Sequence, residues 1–176
     1  MLGAVNVGAS GIISTASVDH QTGNVIIGGD DNNFVNIEGN INISSINPST
    51  PSGALTITGT NVYYGGETNA NGSNGGKISA NSQKMLVLDS SIVAKGLQEN
   101  GGNLMVVSED VLLSTTQTNV NMSGSISGGS IKLHADSHNL VAGTFKADGD
   151  SGQGGNLDFT GQNVGLSAAD ISAKGS

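Results

Sequence analysis

Four glycine pairs recur along this chain at nearly equal intervals. Their second members, Gly76, Gly102, Gly129 and Gly155, stand 26, 27 and 26 residues apart, and an aliphatic residue follows each two positions later: Ile78, Leu104, Ile131 and Leu157. A period of this length signals a repeat architecture, whose units cannot bury their apolar faces alone and must stack. Earlier openings at Gly23 and Gly53 fit less evenly, with intervals of 30 and 23. The segment 44–53, which holds both prolines of the chain, Pro48 and Pro51, is expected to be a loop inserted between turns, where proline costs no ladder hydrogen bond.

Within the period, helices find no support. No window keeps apolar residues at i, i+3, i+4 and i+7, because glycine, asparagine and serine interrupt every candidate. Alternation with period two does occur in short pieces such as Val35-Asn36-Ile37, Leu55-Thr56-Ile57 and Leu157-Asp158-Phe159. Each repeat holds three of them. From Gly128 to Gly149 they are Ile131-Lys132-Leu133, Leu140-Val141-Ala142 beyond a polar corner at Asp136 to Asn139, and Phe145-Lys146-Ala147. Their counterparts from Gly154 to Gly175 are Leu157-Asp158-Phe159, Val164-Gly165-Leu166 and Ile171-Ser172-Ala173.

Three strands per turn of about 26 residues predict an all-β parallel β-helix, a solenoid with three faces. Roughly seven coils at ~4.8 Å per coil would make a rod on the order of 30 Å long. Ile78, Leu104, Ile131 and Leu157 are expected in one buried column, with Ile92, Phe145 and Ile171 in another and Lys132, Lys146, Asp158 and Lys174 pointing outward. Corner glycines and asparagines are expected to supply positive φ. Residues 1–176 read as a single β-helix segment. With no capping helix or charged cap in either end's sequence, the expectation is a piece of a longer rod, with any targeting segment outside it.

Composition narrows function more than it names it. The net charge is −8 and the six basic residues are all lysine, scattered singly, so nucleic acid is excluded as a partner and acidic sugars lack the arginine fork that usually reads them. No cysteine is present, which removes disulfides and thiolate metal sites and is compatible with export. No apolar run reaches the ~18 residues of a spanning helix, so membrane insertion is not expected.

The recurring Gly-Gly-Asn/Ser-Ile/Leu opening and the closing Ile/Phe-x-Ala-x-Gly, at Gly128 to Gly149 and Gly154 to Gly175, resemble the shaft repeats of filamentous-haemagglutinin-type adhesins. The stretch Thr22 to Asp30 is similar to the glycine-closed strand and corner of the same proteins. The resemblance implies a right-handed parallel β-helix serving as a structural or adhesive shaft of a secreted bacterial surface exoprotein. It also implies export by two-partner secretion through an outer-membrane transport partner of the parent protein, with a host-cell or bacterial surface receptor or glycan as the target of adhesion. The secretion domain of that family carries an Asn-Pro-Asn type motif, whereas Asn47-Pro48 continues as Ser49-Thr50, so that role is not carried over. A polysaccharide-active enzyme or an autotransporter passenger on the same scaffold is the alternative.

No residue set is expected to be catalytic, cofactor-binding or metal-binding. His134 and His138 have a ligand-like spacing, yet they sit on a strand and corner with no third ligand nearby in sequence. Asp148 to Gly152 and Gly28 to Asn33 use the residues of calcium loops, but without EF-hand or nonapeptide spacing. Glu109, Asp110, Asp136 and Asp158 are expected at different places in the period, and His134 with Asp136 lacks a nucleophile elbow. Thr56-Ile57-Thr58 does not persist as a threonine array, since Ser79, Lys132 and Asp158 follow in the first place. Asn42, Asn71 and Asn121 begin glycosylation sequons.

Overall fold

The computed structural model describes residues 4–16, 22–28 and 34–176, and among these every regular element is a β-strand. They wind into a right-handed parallel β-solenoid of about 6 turns, spread over seven successive coils of which the first is described only in part. The first coil holds β1 (Ala4–Val7) and β2 (Ile12–Ser14), and the second β3 (Val25–Gly28), β4 (Phe34–Ile37) and β5 (Asn40–Asn42). The next two coils are single strands that bend round their corners without a break, β6 (Ala54–Asn69) and β7 (Lys77–Val93). The fifth splits again into β8 (Asn103–Ser108), β9 (Val111–Ser114) and β10 (Asn119–Asn121). The sixth has β11 (Ser130–Ala135) and β12 (His138–Lys146), and the last has β13 (Asn156–Thr160) and β14 (Asn163–Ser172).

Pairing follows the glycine period. On the first face Val25, Leu55, Ile78, Leu104, Ile131 and Leu157 are successive partners, so the interval of 30 and the interval of 23 between the early openings both return in the ladder. On the third face Ile41, Thr68, Ile92, Val120, Phe145 and Ile171 form the matching column. Side chains alternate across each strand, which sends these residues inward and their neighbours to solvent. Ile78, Leu104, Ile131, Ile92 and Phe145 are buried, while Lys132, Lys146 and Lys174 are exposed. Asp158 points outward but is half-buried beside Lys132.

The last coil departs from expectation. Ile171 stays in register with Phe145 yet is 40% exposed, and Leu157 is only partly buried, because a coil covers each from one side only. The edge-to-face contact of Phe145 with Phe159, centroids 5.5 Å apart, carries the core into that coil.

Corner glycines turn the chain for a reason other than φ. Among the described glycines only Gly66 (φ 71°) and Gly143 (φ 101°) lie in the left-handed region, both at the second corner. The glycines of the third corner and of the paired openings are there because a side chain would strike backbone. A Cβ on Gly101 would lie 1.8 Å from Met122 O, and one on Gly129 1.9 Å from Gly102 O. Gly72, Gly96, Gly124 and Gly149 bridge one another directly along the rod.

Segment 43–53 makes that corner longest. Ile41 to Leu55 takes 14 residues, against 10 from Thr68 to Ile78 and 12 from Ile92 to Leu104. The extra length is folded into a turn in which Asn47 O accepts Thr50 N–H at 3.1 Å, and Asn47 Oδ1 accepts Ser49 N–H at 2.9 Å. Pro48 sits at the position whose φ a proline ring sets in advance. Thr50 O in turn accepts Ser73 N–H from the next coil at 2.8 Å.

Candidate functional site

Two places on the rod gather polar side chains: the outer side of the first face, and the seam of glycine pairs where one coil hands over to the next. The first contains most residues singled out by type. Inward Leu133 and outward His134 alternate as their strand requires. The His134 ring joins two neighbours, with Nδ1 at 2.8 Å from Thr160 Oγ1 and Nε2 at 3.0 Å from Asp136 Oδ1. A Thr-His-Asp chain therefore exists in space. It lies on an open sheet surface at the last coil, where β13 pairs with β11 alone. Lys132 and Asp158 pair at 3.9 Å beside it.

His138 stands on the far side of the corner, exposed at the start of the second face, so the two histidines do not converge. No group of three or more metal-ligating side chains forms among the described residues. Glu109 and Asp136 correct the sequence expectation. Each directly follows one member of the pair Ser108 and Ala135, so they occupy the same place at the first corner in successive coils; Asp158 lies apart on the sheet. Thr56, Ser79, Met105, Lys132 and Asp158 follow one another outward, and no threonine array forms.

At the third corner Asp148 is held by the protein itself. Oδ1 accepts Ser172 Oγ at 2.6 Å and Lys174 N–H at 2.7 Å, and Oδ2 lies 3.3 Å from Lys146 Nζ. Burial pushes its pKa up, but these three hydrogen bonds and the Lys146 charge outweigh burial and hold the carboxyl below its usual range. A cation here would have to displace an ammonium. Of the other calcium-like loop, residues 29–33 lie outside the described residues. The sequon asparagines all accept backbone hydrogen bonds: Asn42 Oδ1 from Ser44 N–H at 3.1 Å and Asn121 Oδ1 from Ser123 N–H at 3.1 Å as local caps, and Asn71 Oδ1 from Lys95 N–H of the next coil at 2.7 Å.

The seam was not foreseen as a site. Each of the last four coils contributes a polar residue, two glycines and a second polar residue: Asn74 to Lys77, Asn100 to Asn103, Ser127 to Ser130 and Gln153 to Asn156. Because the glycines lack side chains, the polar residues stand as walls above a floor of bare backbone. Two clefts lie on this column, one of about 290 Å³ from Thr22 to Lys77 and one of about 440 Å³ from Asn100 to Asn156. They adjoin, since Lys77 pairs with Asn103 across neighbouring coils. The floor is saturated with its own hydrogen bonds: Gly101 N–H to Ser127 O, Gly128 N–H to Gln153 O, Gly129 N–H to Met122 O.

Two buried polar atoms were also invisible to pattern reading. Asn139 occupies an inward position between Leu112 and Val164, fully buried, where its amide donates to Leu133 O at 2.7 Å and Thr160 O at 3.0 Å while Oδ1 has no partner. Thr22 Oγ1 is the other, and it lines the smaller cleft. No protein-family model matches the chain, and no curated protein matches it.

Proposed function

We propose that this chain is a stretch of the shaft of a secreted bacterial surface exoprotein of the filamentous-haemagglutinin type, and that its work is to hold a binding region away from the cell. The observation that carries the reading is the regular stack itself: about 6 coils kept in register by glycine seams and aliphatic columns. Such a rod gains length by adding coils, ~4.8 Å each, without inventing a new core. In this reading the rod is not an enzyme, the parent reaches the surface through an outer-membrane transport partner, and contact with a host-cell or bacterial surface receptor or glycan is made along the rod or at its tip.

The test is to place the rod between an outer-membrane anchor and a small antibody epitope on a Gram-negative cell, in its present length and with the coil Gly102 to Gly128 inserted again four times. Epitope capture by a bulky antibody through the lipopolysaccharide layer should rise with length. Capture independent of length, or release of reducing ends from added polysaccharide by the purified chain, would count against the shaft reading.

A further inference from the structure

The three faces of the rod do not turn the same kind of side chain to solvent. Outward columns of the first and third faces are mostly polar, as at Thr56, Ser79 and Lys132 or at Ser91, Asn119 and Thr144. The second face is apolar on its outside as well as its inside. Tyr63, Val87, Leu113 and Leu140 follow one another in one outward column, and Met85 and Val111 stand side by side in the next. Met85 is 40% and Leu140 48% exposed. A sheet face that meets only water ordinarily carries polar residues, and a contiguous apolar patch with a polar rim marks a place of contact.

The rim selects the occupant. Exposed Glu109 and Asp110 lead into Val111 at the first corner, Glu38 and Asp89 stand at the second corner beyond Ile37 and Leu88, and Lys84 before Met85 is the one lysine beside the strip. No ion pair among the described residues includes any of those four carboxylates. Tyr63 adds a second sign. Its hydroxyl donates to Asp89 of the next coil at 2.8 Å, and its ring lies against Gly65, where a Cβ would come 2.7 Å from Cε1. An aromatic ring fixed beside a carboxylate favours a cation over its face. A second copy of the chain is a poor match, because two columns over four coils cover on the order of 250 Å² at ~4.8 Å per coil, far below the ~800 Å² that each partner of a stable complex buries. It would also set acidic rim against acidic rim in a chain of net charge −8. An anionic lipid surface meets the same repulsion. An amphipathic helix carries an apolar stripe between polar flanks, and about three of its turns, ~16 Å, span the four coils.

We infer that the outer side of the second face, from Tyr63 to Leu140, is a docking surface for a short cationic amphipathic segment of another protein, its apolar stripe laid along the outward columns and its lysines or arginines over the carboxylates at the two corners. The assignment goes beyond the shaft reading and does not depend on it, because a spacer holds its tip out whether or not this face is covered.

The probe is a fourteen-residue peptide of leucine and lysine at helical spacing, followed by methyl chemical shifts of the labelled chain. Beside it stand a scrambled peptide of the same composition, a counterpart with glutamate for lysine, and phosphatidylglycerol vesicles. The helical cationic peptide should shift the methyls of Met85, Val87, Leu113 and Leu140 before any others. Leu113→Thr and, separately, Leu140→Thr keep a residue suited to a strand and should each weaken binding about tenfold with the circular dichroism spectrum unchanged, whereas Met105→Thr on the first face should not. Glu109→Gln combined with Asp110→Asn should weaken binding about two- to fivefold at low salt and flatten its salt dependence, while Asp170→Asn on the third face leaves both unchanged. The inference is overturned if the helical peptide does not bind, if the scrambled peptide binds as well, if the shifts fall outside the second face, or if both threonine variants bind normally. Preference for the glutamate peptide or the vesicles, or a dimer of the chain that Leu113→Thr dissolves, would overturn the choice of partner.

Discussion

Adding one methyl group at Gly129 tests the account of why glycine recurs at each opening. A Cβ there would sit 1.9 Å from Gly102 O, whereas ordinary contact begins at 3.4 Å, so two neighbouring coils would have to part by about 1.5 Å. The hydrogen bonds crossing that point, Ser130 N–H to Gly102 O at 2.9 Å and Gly129 N–H to Met122 O at 2.7 Å, would not survive such a movement together. One buried group left unpaired costs ~1–3 kcal/mol, and overpacking a further ~1–3 kcal/mol, so Gly129→Ala should lose about 2–6 kcal/mol. The control lies in the same chain. Gly8 has nothing within 4 Å of its would-be Cβ and no positive φ, so Gly8→Ala should be neutral or stabilise by up to ~1 kcal/mol through the unfolded state. Urea unfolding followed by circular dichroism measures both, with the slope checked for constancy. A loss below about 1 kcal/mol at Gly129, or equal damage at Gly8, would refute the steric argument.

Leu104→Ala empties a fully buried place between Ile78 and Ile131 and should cost ~2–5 kcal/mol in the same unfolding experiment. Asn139→Asp replaces a donor to two carbonyls with a buried carboxylate. Its folded pKa should rise above the unfolded value, so the melting temperature should fall most at neutral pH and recover as pH drops towards 4, the reverse of an ordinary carboxylate. Asp148 is such an ordinary case. Its lowered pKa contributes stability that is complete above the unfolded value near 3.8 and is lost as pH falls through the folded one, so Asp148→Asn should flatten the acid limb of the stability curve. Tyr64→Phe leaves the Thr68 hydroxyl, now 2.7 Å from Tyr64 Oη, buried without that partner and should cost ~1–2 kcal/mol by thermal unfolding.

The architecture could be read before any coordinates because it depends on one number, the spacing of the glycine pairs, and because alternation tells inside from outside wherever polar and apolar residues truly alternate. Ile131-Lys132-Leu133 is such a case. Met85-Leu86-Val87-Leu88 is not: all four are apolar, and only the pairing of Leu86 with Leu112 decides that Leu86 and Leu88 face inward while Met85 remains 40% exposed. Hydropathy places Asn139 in a polar corner and Leu140 in the strand. The ladder instead buries the asparagine and leaves Leu140 48% exposed, because the alignment with Leu112 outranks hydropathy. Glycine at a corner suggests positive φ, yet its commoner service here is to let two backbones touch, a distinction that needs the neighbouring coil. The seam escaped notice for a related reason: its walls come from residues about 26 apart, each unremarkable in its own segment.

The unbroken strands β6 and β7 have a mechanical consequence. Ladder hydrogen bonds in a solenoid run along the rod, at right angles to the strands that make them. A pull along the axis that grips a whole coil loads every bond between β6 and β7 at once, and stiffness comes from their number. A pull on one end of a strand loads the same bonds in succession, and they open like a zip. The rod should therefore resist when stretched between broad attachments and peel at low force from a single thread, so its toughness is decided by how load enters it as much as by its sequence.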